Sequence, residues 1–188
     1  MTDGQAIRAA IPWRLVGWGI ALAVILVPLV AMKLQVEGVN WTLSDFVFAA
    51  VLIGGTGVLY ELAVRASGSW AYRGGVALAL AAGFLTTWVN LAVGIIGNED
   101  NPVNLVFFAI VAIAAAGTIV ARGKAEAMAR AMTVAAAAQA LVGVAVLVYG
   151  IRAMEPPPPV MLFALIEIFA GMWLGSALLF RKAAGVAT

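Results

Sequence analysis

The sequence contains no cysteine and no histidine among its 188 residues. Without cysteine there is no disulfide framework, thiol redox centre or thiolate nucleophile. Without histidine, a bis-histidine haem, a histidine-rich zinc site and a Ser-His-Asp triad are excluded. Charge is scarce as well, at 11% of residues against about a quarter in soluble domains. The eleven Lys and Arg give a net charge of +2, but they are scattered among separate links and form no stripe of the kind that tracks nucleic acid. No nucleic-acid partner is expected, and no cofactor or metal centre.

What is abundant is apolar sequence, at 64% of residues with a mean hydropathy of +1.07. The apolar runs are each close to the roughly 20 residues that cross a hydrocarbon core. Six spans are expected, near 15–33, 43–63, 74–96, 103–121, 129–151 and 160–180. All six should be helices, because the bilayer core leaves no partner for open backbone. The fold class is therefore all-α, a polytopic membrane helix bundle of six transmembrane helices, with 1–188 as one domain. The first run follows Arg8 and Arg14 but exceeds a signal peptide's apolar region and ends in no small-x-small cleavage site, so it is read as a retained helix, bent at Pro28.

Basic residues set the expected orientation. Arg8, Arg14, Arg65, Arg73, Arg122, Lys124, Arg130, Arg181 and Lys182 fall on one side, against Lys33 and Arg152 on the other. By the positive-inside rule both termini are cytoplasmic. Trp13 and Tyr72 near one boundary, with Trp41 and Tyr149 near the other, suit aromatic belts. The outer link "MEPPPPV" reads as a stiff polyproline spacer. A short echo between "VFAAVLIGGTG" and "VFFAIVAIAAAG" resembles an internal repeat.

Small residues recur at helical spacing. The third span carries Gly75, Ala79, Gly83, Thr87, Asn90 and Gly94, and the second Ala50, Gly54, Gly57 and Glu61. The fifth carries Ala136, Gln139, Gly143 and Gly150, and the sixth Glu167, Gly171 and Gly175. Such faces let helices approach closely, so Gly54, Gly57, Gly83, Gly171 and Gly175 are read as packing positions. The polar members demand more, since an acid at a helix centre costs about 2.5–3.5 kcal/mol. Glu167, Asn90, Gln139 and Thr87 form the candidate intramembrane polar site, and the plain alternative is a neutral Glu-amide bond that joins helices. Glu61 is explained by Arg65 four residues on, and Asp45 by a Thr42–Asp45 capping box.

The stretch "GNEDNP" is first a turn, with Gly97 as a helix C-cap, Asn101 as an N-cap and Pro102 at the first helical position. Asn98, Glu99, Asp100 and Asn101 also form an oxygen-rich outer cluster of the type that attracts a hard cation, although its spacing matches no defined calcium loop. A solvated acidic turn is the simpler reading.

The segments "YELAVR", "WVNLAVGIIGNEDNPVNL" and "ARAM" together resemble small multi-pass bacterial inner-membrane proteins without assigned function, over residues 42–150. That resemblance implies a bacterial inner (cytoplasmic) membrane and brings no catalytic residues. The resulting expectation is a non-enzymatic integral membrane protein, an accessory or scaffold subunit or a self-associating bundle. Its partners would be membrane lipids and a homo-oligomer or larger membrane complex. The alternative is a small transporter or channel-like protein with an outward-facing site around Glu167, Asn90 and Gln139. No nucleophile and base pair is present, and Ser176 lacks an activator.

Overall fold

A computed structural model describes residues 13–149 and 158–185. Among them there are six long helices: α1 (Trp13–Lys33), α2 (Leu43–Ala66), α3 (Trp70–Ala92), α4 (Leu105–Ala121), α5 (Ala125–Tyr149) and α6 (Pro159–Gly185), with a single 3-10 turn at Pro102–Asn104. All six are long and apolar enough to cross a bilayer, so this is a multi-pass, all-helical membrane protein. Arg8, Gly150, Arg152, Pro156 and Pro157 lie outside the described residues, as do the side chains of Trp13 and Tyr149.

The chain divides into two compact units, Met1–Gly57 and Val58–Thr188. In the first, α1 continues through Pro28. The link that follows turns at Gln35 and Gly38, both with positive φ. Asp45 accepts from the Thr42 amide at 2.7 Å and from its hydroxyl at 2.8 Å, which fastens the start of α2 as a cap should. The Trp18 ring lies against Gly57, where a Cβ would meet it at 3.0 Å.

In the second unit α6 packs along both α3 and α5, and α4 packs chiefly on α5. Its interior is rich in alanine: Ala71, Ala82, Ala114, Ala121, Ala129, Ala135, Ala136, Ala170, Ala177 and Ala183 are all buried. Helices in a membrane gain little from burying apolar surface away from equally apolar lipid. Close backbone approach over small side chains is what favours their association. The α4–α5 crossing shows it, since a Cβ at Gly117 of α4 would lie 2.6 Å from that of Ala131 on α5.

Contacts between α3 and α6 define an antiparallel register. Ser176 donates from its hydroxyl to the Gly75 carbonyl at 2.7 Å. Further along α3, Leu78 reaches Gly175, and Gly83 faces the Trp173 ring. On α6's other flank Gly143 of α5 meets Ile166 and Glu167. At one end of the unit, Tyr72 and Phe180 pack edge to face with centroids 5.2 Å apart. There the Arg73 guanidinium donates to the Ser67 carbonyl at 2.8 Å and the Val64 carbonyl at 3.0 Å, closing the C-terminus of α2.

At the opposite end the structure corrects one boundary. The apolar run to Ile96 suggested a helix reaching that residue, but α3 stops at Ala92. Gly94, with φ +70°, takes the left-handed position after the helix, and its amide donates to the Asn90 carbonyl. Ile95 and Ile96 are apolar because they are buried within the turn that follows. Gly97 is also left-handed, at φ +75°, but lies in the middle of that turn. Asn101 does cap the 3-10 turn that begins at Pro102, accepting from the Val103 amide at 3.0 Å.

Candidate functional site

The turn over residues 93–104 is held by asparagine side chains. Asn104 is 3% exposed. It accepts from the Ile96 amide at 2.9 Å and donates to the carbonyls of Asn98 at 2.7 Å and Ile96 at 3.1 Å. Asn101 adds a second bond to the Ile96 carbonyl at 3.0 Å. Asn90 donates to the Asn104 carbonyl at 3.0 Å and accepts from the Ile95 amide at 3.4 Å. An amide offers two donors and an acceptor on one short stem, so it can stand in for the backbone partners that the turn lacks. Glu99 and Asp100 stand exposed on the surface of this turn. The side-chain oxygens of Asn101 and Asn104 are already engaged with backbone amides.

Beneath this turn lies a second polar group, of different character. Among the described residues, five buried side-chain atoms have no hydrogen-bond partner: Thr86 Oγ1, Gln139 Oε1 and Nε2, Glu167 Oε1 and Trp173 Nε1. Thr86 and Gln139 are 0% exposed and Trp173 is 2% exposed, whereas Glu167 is only part-buried. In hydrocarbon each such atom costs several kcal/mol if it remains unpaired.

Helix register places these residues within about two turns of one another in depth. Leu78 on α3 meets Gly175 on α6; eight residues on from Leu78 is Thr86, and eight back from Gly175 is Glu167. Thr86 and Glu167 therefore lie at one depth. Gly143 on α5 is level with Glu167, which puts Gln139, four residues earlier, level with Gly171 and about 6 Å deeper. Trp173 lies just beyond and points its ring at Gly83. The glycine at 143 is what admits the carboxyl, because a Cβ there would collide with Glu167 Oε1.

The residues expected from sequence are thus only partly brought together. Glu167 lies against α5 at Gly143, about one turn from the level of the buried Gln139. Asn90, 2% exposed, is one turn nearer the 93–104 turn and is engaged by it. Thr87 is half-buried, and the adjacent Thr86 is the buried one. Of the packing glycines, Gly57, Gly83 and Gly175 face neighbours, whereas Gly54 and Gly171 have open space where a Cβ would lie. Sequence reasoning missed Thr86, Trp173 and the notch role of Gly143. The row Ala82, Thr86, Asn90 carried the signal for Thr86, since it continues the buried Tyr72, Gly75 and Val76 at helical spacing.

Toward the turn Asn90, Ile95, Ile96 and Phe107 are all buried; in the other direction lie the Ser176–Gly75 bond and the Tyr72–Phe180 pair. Among the described residues no group of three or more His, Cys, Asp or Glu side chains is arranged to hold a metal ion.

Neither the protein families nor the curated proteins nor the solved structures compared with this chain give a match. The fold defines its class as a multi-pass helical membrane protein, and the chemistry of its interior must carry any reading of its role.

Proposed function

We propose that this chain is a non-enzymatic protein of a bacterial inner membrane, with both termini cytoplasmic, that admits a small polar solute to the α3–α5–α6 interior. It is a small transporter or channel-like protein. The observation that carries the reading is the set of five unpaired buried atoms on three helices. A helix bundle that merely needed cohesion would satisfy such groups or replace them with apolar ones, because interhelical polar bonds in membranes contribute only about 0.6–2 kcal/mol even when made. The bacterial setting rests on the resemblance of residues 42–150, and the orientation on the basic asymmetry.

The test is solute entry into liposomes that contain the purified chain, followed by light scattering after an osmotic step. Faster entry of one small polar solute than into empty vesicles, lost in Glu167→Gln, supports the reading. Identical rates for every solute sink it.

A second reading, an accessory or scaffold subunit or a self-associating bundle, is favoured by Gly171. This glycine is exposed on α6 and has no atom near its Cβ position, the kind of small-residue surface on which a further helix settles. Purification from native membranes in mild detergent distinguishes it: a subunit brings a partner at fixed stoichiometry, and a self-associating bundle elutes as an oligomer.

A further inference from the structure

We infer that the close of α6 binds the headgroup of an anionic glycerophospholipid from the surrounding membrane, with Arg181 and Lys182 as its cations. A hydrocarbon core about 30 Å thick takes about 20 helical residues. A helix that enters it at Pro159 leaves it near Leu179, which puts Arg181 and Lys182 at the level of the lipid headgroups. Such a site needs only that α6 spans a bilayer, whether or not the interior carries a solute.

Both cations end an exposed face of α6. Ile168, Leu174 and Leu178 are exposed along it, and steps of three and four residues from Leu178 reach Arg181 and Lys182, themselves exposed. The two side chains then diverge to the flanks of the helix. Lys182 Nζ lies 4.5 Å from the centroid of the Trp70 ring on α3, and Arg181 donates from Nη2 to Thr133 Oγ1 on α5 at 3.5 Å. A ring and a hydroxyl steady the two groups without cancelling their charge.

The other arginines of this end that have partners are committed within the chain. Arg65 pairs with Glu61 and Arg130 with Glu126, and Arg73 donates to two carbonyls. Among the described residues no carboxylate pairs with Arg181 or Lys182. An anionic phospholipid complements both parts of the surface. Its phosphate accepts from guanidinium and ammonium, and its acyl chains run along Leu178, Leu174 and Ile168. A zwitterionic lipid brings its own cation and loses the net attraction. Free phosphate offers nothing to the apolar face. Trp70, 64% exposed at the start of α3, adds the aromatic ring that favours the interface.

The experiment measures the unfolding midpoint of the full chain in neutral detergent micelles, at constant ionic strength, titrated with dioleoyl phosphatidylglycerol, dioleoyl phosphatidylcholine or inorganic phosphate. Binding to the folded state alone raises the midpoint by mass action. The expected result is a saturable rise with phosphatidylglycerol and flat midpoints with the other two. Arg181→Gln/Lys182→Gln should need at least about tenfold more phosphatidylglycerol for the same rise. Arg122→Gln/Lys124→Gln removes the same charge from the exposed α4–α5 link and should leave the response intact. If the first double variant elutes as aggregate, Lys182→Gln alone decides, with a several-fold loss expected. An equal rise with phosphatidylcholine, a rise with inorganic phosphate, no rise with phosphatidylglycerol, or equal losses in the two double variants overturns the assignment.

Discussion

Replacing Asn104 with alanine should loosen the turn between α3 and α4 by an amount that follows from its bonds. The side chain makes three, to the Ile96 amide, the Ile96 carbonyl and the Asn98 carbonyl. They are not equivalent. The Ile96 carbonyl keeps a partner in Asn101, so its loss is near the net value of an ordinary hydrogen bond, about 0.5–1.5 kcal/mol. Asn98 is exposed, and water replaces the lost donor at little cost. The Ile96 amide has no such relief, because Ile96 is 1% exposed; an orphaned buried donor costs about 1–3 kcal/mol. The combined loss is about 2–4 kcal/mol. Reversible denaturant unfolding in mild detergent measures it, and Asn104→Asp, which keeps the acceptor for Ile96, should recover part of the loss. A destabilisation below about 0.5 kcal/mol for the alanine variant would refute the view that this amide is the fastener of the turn.

Three further outcomes are expected. Reporters fused after residue 125 and at the C-terminus should read as cytoplasmic and one inserted near residue 100 as external, and an external C-terminus would defeat the proposed orientation. Gly175→Leu should destabilise the chain by about 1–3 kcal/mol, because Leu78 already lies 2.8 Å from the Cβ position. Gly171→Leu, with open space at its Cβ position, should leave stability unchanged, and equal effects of the two on unfolding would contradict the packing described. Ser176→Ala should cost about 1 kcal/mol through its bond to the Gly75 carbonyl, and no change in the unfolding midpoint would count against that bond.

The six helices were legible because bilayer thickness imposes a length on every span, and the apolar runs show that length directly. Boundaries blurred where apolar residues serve something other than a helix. Ile95 and Ile96 are buried in a turn, so hydropathy alone extends α3 past Ala92. Asn90 illustrates a different limit. Its place on the polar face of α3 could be read from periodicity, but its partner Asn104 is fourteen residues away and enters through a turn geometry that no helical period encodes. Gly143 was visible as one small residue among several. Only the antiparallel register of α5 and α6 reveals that a carboxyl group lies against it.

Arg73 joins two decisions that are usually separate. Its charge is one of the basic signals behind the proposed orientation, and its guanidinium also closes the end of α2 through Val64 and Ser67. The bend between α2 and α3 is thus fastened by one of the residues on which the proposed orientation rests. Lysine at 73 would preserve the signal while giving up the planar fork that reaches two carbonyls at once. Neutralising the position would weaken both sidedness and hairpin together, so a variant with inverted α2–α3 topology would also be one with a frayed bend.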